Sequence, residues 1–166
     1  DPVNILTKLN QKLVETLKQT TSSNEDGMDV CLCKLDKIDH KWSVTFAGAA
    51  RPLFVCKQHS NEVAIIQGSP MSTGGNTLQK IGNIHYEATQ FDVEKGDLLV
   101  LCSDGFIDQP DKNWQRFGTK RFTQLLEKCM KLPLEEIYNK FEQELSSMTV
   151  SQKQRDDITI WIIKIG

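Results

Sequence analysis

The sequence predicts an α+β fold, with helices and antiparallel strands segregated along the chain. Three observations lead there. A leucine-spaced helical stretch opens the chain, a series of short apolar or alternating segments follows, and two more helical stretches precede one last apolar run. A parallel α/β sheet would instead alternate strand with helix throughout. The length of 166 residues suits one domain with a substantial core.

Each element has a local reason. Asp1-Pro2 reads as a helix start, with the acid as cap and proline in the first turn. Leu6, Leu9, Leu13 and Leu17 then form one apolar face as far as about Lys18. Residues 20–25, TTSSNE, make a polar loop. Met28 to Leu35 is apolar and short-period, hence a strand; Asp36 to Lys41 is a turn, and Trp42 to Ala47 alternates as the second strand of a hairpin. Pro52–Cys56 and Glu62–Ile66 form another pair around a polar turn. QGSPMSTGGN, residues 67–76, is a loop whose composition permits movement. Ile84, Tyr86 and Ala88 alternate with His85 and Glu87 as a half-exposed strand. Glu94 to Asp97 is a turn leading into a buried strand, Leu98–Cys102. Phe122, Leu125, Leu126 and Cys129 mark one helix. Leu134, Ile137, Tyr138, Phe141 and Leu145 mark another, with Pro133 near its start. Ile158 to Ile163 is apolar on both faces and reads as a central strand.

Composition narrows the function. A formal net charge of -2 and the lack of a basic run argue against nucleic acid as a partner. No apolar stretch approaches the roughly 18 residues of a membrane span, and the first residues form no signal peptide. Cys31, Cys33, Cys56, Cys102 and Cys129 are odd in number and contain no C-x-x-C pair. They read as small, mostly buried side chains in a reducing cytoplasm rather than as disulfides or a zinc site. His40, His59 and His85 form no pair at ligand spacing. There is no G-x-S-x-G elbow and no activated thiol, and STGGN lacks the G-K-[ST] of a P-loop.

The aspartates carry more. Asp104 ends the buried strand, in LVLCSDGFIDQ, and Asp156 and Asp157 precede the last one, in RDDITIW. Mg²⁺ and Mn²⁺ prefer oxygen ligands, and Mg²⁺ keeps several waters, so two or three carboxylates can suffice. Side-by-side strands would bring Asp104 and Asp156 onto one cation. The competing reading makes these acids turn and cap residues bonded to nearby backbone N–H groups. Gly105 fits either.

DGMDVCLCKLD (26–36), VTFAGAARPLFV (44–55), KGDLLVLCSDGFIDQ (95–109), RFGTKRFTQLL (116–126) and RDDITIWIIKI (155–165) occur in this order. Together they resemble the catalytic domain of the stage II sporulation protein E family, the bacterial branch of the metal-dependent type 2C serine/threonine phosphatases. The DGMDV form is similar to the branch often attached to sensor or receiver domains. The resemblance runs from Asp1 to Ile165. It implies an antiparallel β-sandwich flanked by helices (α-β-β-α) and two Mg²⁺ or Mn²⁺ ions. It also implies hydrolysis of phosphoserine or phosphothreonine on a protein, often an anti-sigma-factor antagonist, by water activated between the ions.

By the same resemblance Asp104 matches the family's DG ligand and Asp156 the ligand before the last strand, with Asp157 one alignment step away. Asp108 would help hold a weaker extra metal or its waters, and Arg51 and Arg155 would assist phosphate binding. The family's Asp-x-x-Gly-His-Gly segment, which supplies the bridging acid, is not found in residues 1–166. The expectation is therefore the C-terminal portion of one phosphatase-like domain, N-terminally truncated, with about a hundred domain residues upstream. Such a piece would be inactive on its own, and its bare sheet edges would favour a homodimer. The alternative is a non-catalytic, phosphatase-like interaction module in a signalling protein.

Overall fold

A computed structural model describes residues 1–39, 41–75, 84–150 and 153–166; His40 and Asn76 lie outside the described residues. The chain divides into two compact units, Asp1–Leu53 with Ile66–Val93, and Phe54–Ile65 with Glu94–Gly166.

The first unit lays one helix on an antiparallel sheet. Helix α1 (Pro2–Thr16) starts as the sequence predicts, with Asp1 Oδ1 accepting from the Val3 N–H at 3.3 Å and Pro2 in the first turn. Strands β2 (Val30–Ile38), β3 (Lys41–Ala49) and β7 (Thr89–Val93) form a sheet in the order β2-β3-β7. Leu6, Ala47, Ala49 and Tyr86 are buried together, with Val3, Val30, Leu32 and Ile84 packed on them. Strands β1 (Gly27–Met28) and β6 (Thr73–Gly74) form a small second sheet. It ties down the described part of the 67–76 loop, which is less free than its composition suggests. Thr73 Oγ1 donates to the Met28 carbonyl at 2.7 Å, the Gly74 N–H donates to buried Asn10 Oδ1 at 2.7 Å, and Ser69 bridges to Ala49.

The second unit backs an antiparallel sheet with helices. Strands β4 (Leu53–Lys57), β5 (Glu62–Ile66), β8 (Leu98–Cys102) and β9 (Ile160–Lys164) run in the order β5-β4-β8-β9. Helices α2 (Gly105–Asp108), α3 (Gly118–Cys129) and α4 (Leu134–Thr149) complete it. Phe54, Phe106, Phe117, Phe122 and Phe141 are buried in its core. Their rings meet at tilted or edge-on angles with centroids 4.9–5.8 Å apart. Each such side chain contributes about 1.5–3 kcal/mol by burial, and edge-on contact adds up to roughly 1.5 kcal/mol per pair. Phe106 follows Asp104-Gly105 directly, so the core anchors the turn that presents Asp104.

Three expectations need correction. The first hairpin runs further than its turn residues suggest: Asp36, Lys37 and Ile38 stay in β2, paired to Ser43, Trp42 and Lys41. The strand expected over 84–88 begins only at Thr89, paired to Phe46. Tyr86 is buried against the α1 side of the sheet, and its hydroxyl donates to the Ser72 carbonyl at 3.3 Å; packing, not a ladder, produces the alternation. The final strand is an edge strand rather than a central one: β9 pairs with β8 alone among the described strands, and Trp161 is 69% exposed. Among the described residues no helix is long and apolar enough to cross a membrane.

Candidate functional site

Strand β8 is buried almost throughout, pairing with β4 on one side and β9 on the other. Its pairing with β9 ends at Cys102↔Ile160, but hydrogen bonding continues beyond. The Ser103 N–H donates to the Thr159 carbonyl at 2.9 Å. Ser103 Oγ donates to the Asp157 carbonyl and accepts from the Thr159 N–H, both at 3.0 Å. One hydroxyl thus clamps residues 157–159 beside the end of β8.

Gly105 closes the approach. A Cβ at this position would overlap the Asp157 carbonyl oxygen and stand 3.0 Å from its carbon. Only glycine lets the Asp157 backbone lie against the first turn of α2. The structure therefore brings the Asp104 segment and the Asp156-Asp157 segment together, as adjacent strands would.

The side chains differ in their surroundings. Asp104 is half-buried at the N-cap position of α2, yet its side chain makes no capping bond; its carbonyl accepts from the Asp108 N–H at 2.8 Å. Asp156 makes local bonds of the turn kind: its Oδ1 accepts from the Asp157 N–H at 2.8 Å and its carbonyl accepts from Gln154 Nε2 at 2.9 Å. Asp156 and Asp157 are both exposed. Asp108 faces Arg116, whose Nη1 donates to its two oxygens at 3.3 and 3.5 Å.

The two arginines belong to different units. Arg155 is exposed beside Asp156, with its guanidinium 5.3 Å from the centroid of the Trp114 ring. Arg51 belongs to the first unit and pairs with Asp29 at 2.8 Å; Ser72 Oγ also donates to Asp29. His59 sits near Glu94 at 3.6 Å, and no histidine lies among the acids' described partners.

Oxygen donors at a strand edge suit a hard, water-keeping cation. Among the described residues, however, no three His, Cys, Asp or Glu side chains are grouped to hold a metal ion. The two aspartate segments supply oxygen donors of the kind such a cation prefers, without a third acid grouped with them among the described residues.

Sequence reading missed two residues here. Gln109 is 1% exposed; its Nε2 donates to the Lys153 carbonyl and its Oε1 accepts from the Arg155 N–H, each at 3.3 Å. It pins the chain leading into Asp156, and nothing in its spacing announces that. Ser103 was visible only as a neighbour of Asp104.

The sequence model of Stage II sporulation protein E (SpoIIE) matches residues 1–166. No curated protein matches the sequence. Among solved structures, the chain is similar to the SiaA-PP2C domain of Pseudomonas aeruginosa, with 21% identity and a TM-score of 0.69 over 98% of this chain and 69% of that one. It is similar to the manganese-presoaked phosphatase domain of the cell fate determinant SpoIIE from Bacillus subtilis, with 18% identity and a TM-score of 0.59 over 98% and 72%. The catalytic domain of the serine/threonine phosphatase PstP in complex with two manganese ions gives 12% identity and a TM-score of 0.51 over 95% and 64%. At these identities the likeness shows the fold, a type 2C phosphatase-like one.

Proposed function

Because the chain belongs to the stage II sporulation protein E family, we propose that it works as part of a metal-dependent protein phosphatase domain, hydrolysing phosphoserine or phosphothreonine on a regulatory protein. By the family resemblance that protein is an anti-sigma-factor antagonist, and a sensor or receiver domain of the same parent chain controls the reaction. Residues 1–166 span 69% and 72% of two related chains, which supports reading them as the C-terminal portion of one such domain.

The observation that carries the proposal is the clamp: Ser103 and Gly105 hold Asp104 alongside Asp156-Asp157. Asp104 and Asp156 would hold Mn²⁺ or Mg²⁺, with Asp157 as the adjacent donor. Bound divalent cations supply charge stabilisation to phosphoryl oxygens and a water of lowered pKa. The chain's own residues do the rest. Ser103 fixes the spacing of the two acid segments. Arg155, beside them and exposed, meets a phosphate oxygen. Asp108, with its carboxylate shared with Arg116, orders water at the rim. No side chain is needed as a covalent nucleophile. Buried thiols fit that reading: burial, together with the negative charges of Cys129, Asp97 and Glu127, pushes Cys56 up to about 12, and burial pushes Cys129 up to about 11.

The test is manganese-dependent hydrolysis of a phosphoserine peptide by the full parent chain. Turnover should vanish in Asp104→Asn, and residues 1–166 alone should turn over little. Unchanged turnover in Asp104→Asn would sink the proposal. The second reading is an interaction module without turnover. It predicts no turnover by the parent chain under any metal.

A further inference from the structure

The loop after α2 carries a feature that the phosphate chemistry does not use. Residues 109–117 close on themselves. The Phe117 N–H donates to the Gln109 carbonyl, the Asp111 N–H to the Gln115 carbonyl and the Trp114 N–H to the Asp111 carbonyl, all at 2.9 Å. Asp111 Oδ1 accepts from the Asn113 N–H at 2.9 Å and the Gln115 N–H at 3.2 Å, and Oδ2 meets Arg121 at 3.0 Å. The loop is therefore rigid without any help from the side chain at its tip.

That tip is Trp114. Its backbone is left-handed, φ 61°, a conformation that suits Asn or Gly and strains a bulky residue. The residue is 67% exposed and adds little to the core. A turn selected for stability alone would not place tryptophan there. Strained residues held by a rigid frame mark binding surfaces, and Trp and Arg dominate the anchors of protein interfaces.

The surroundings define what it would bind. Arg155 stacks on the indole, and Lys112 lies two residues before it in the same loop. Lys153 is tied to the loop by its carbonyl, through Gln109. Among the described residues none of these three cations is in an ion pair, whereas the loop's acid, Asp111, is neutralised by Arg121. Arg155 is also the residue immediately before Asp156, so the aromatic face and the acid pair share one short segment.

We propose that Trp114, with Lys112, Lys153 and Arg155, is the docking platform for an acidic segment of the phosphoprotein substrate beside its phosphorylated residue; this rests on the phosphatase reading above. The indole stacks on an apolar or aromatic side chain of that segment, Lys112 and Lys153 meet its carboxylates, and Arg155, stacked on the indole, joins them to the phosphorylated residue.

The test uses fluorescein-labelled phosphoserine peptides, one flanked by aspartates and a leucine, the other by glycine and alanine, with binding followed by anisotropy in EDTA. Trp114→Asn keeps the left-handed backbone and should melt no lower than the wild type. It should lower affinity for the acidic peptide about tenfold and leave the neutral one unchanged. Equal affinity of wild type and Trp114→Asn for the acidic peptide would overturn the proposal, as would Trp114-dependent self-association without peptide binding. Trp114-dependent binding in a parent chain that never hydrolyses phosphoserine would uphold the docking surface and sink the phosphatase reading.

Discussion

The two ends of strand β8 each carry an aspartate, and the fold treats them in opposite ways. Asp97, just before the strand, is 1% exposed. Its carboxylate accepts from Lys57 Nζ and the Gln58 N–H at 3.0 Å and from the Glu94 N–H at 3.1 Å. Asp104, two residues past the other end, is half-buried and does not cap the helix that follows it. One acid is enclosed by its own chain, while the other is held at the rim of the sheet by the backbone on either side. The difference teaches two ways a fold can fix an acid: a ring of inward donors around the carboxylate of Asp97, against a clamp on the backbone beside Asp104, the acid that the proposed function makes a metal ligand.

Four measurements break or sharpen that contrast. The largest effect is on metal. In calorimetric titration with Mn²⁺, Asp104→Asn should weaken binding about a hundredfold while shifting stability by less than about 1 kcal/mol. Asp97→Asn should do the reverse, leaving Mn²⁺ affinity intact in the folded protein and costing about 3 kcal/mol in urea denaturation, because Lys57 loses its buried partner. Gly105→Ala comes next: the new methyl meets the Asp157 carbonyl, so a loss of about 2 kcal/mol is expected. If Gly105→Ala is neutral, the clamp is not tight.

The smallest effect is in pH. Burial alone would raise the Asp97 carboxyl, but the N–H groups of Glu94 and Gln58 and the Lys57 ammonium outweigh it and hold it below its ordinary value. A depressed folded pKa gives stability that is complete above the unfolded value, near pH 4, and is lost as pH falls through the folded value. Acid titration of the urea midpoint should show this loss below about pH 4 in the wild type. The loss should be smaller in Asp97→Asn and should not vanish, because the Asp111 carboxyl is also held below its ordinary value, by the Asn113 and Gln115 N–H groups and Arg121.

Much of this was legible in the sequence. Asp1-Pro2 and the leucine spacing gave α1 because capping and periodicity are local. The apolar run into Asp104 gave β8 because a strand buried on both faces leaves no other pattern. The role of Asp97 was not legible: Glu94–Asp97 reads as a turn, and only the Lys57 and Gln58 partners, some forty residues away in sequence, make it a core acid. Gln109 was hidden for the same reason. The edge position of β9 was missed because Ile158 to Ile163 is apolar on both faces, and side-chain periodicity reports what covers a strand's faces, not whether a neighbour strand bonds along each edge. Trp114 passed as an unremarked loop residue because a positive φ leaves no trace in hydropathy.

The edge position of β9 has a kinetic side. Asp156 and Asp157 enter the fold through a strand bonded on one flank, and its first residues, next to the acids, are those that fray first. Each fraying event would carry the two acids away from Asp104. A cation or phosphate held by both segments would bind only the closed form and would lower the frequency of opening by mass action. Amide exchange at Ser103 and Thr159, whose N–H groups bridge the two segments, would then slow with ligand concentration. Those two amides would serve as a clock for occupancy.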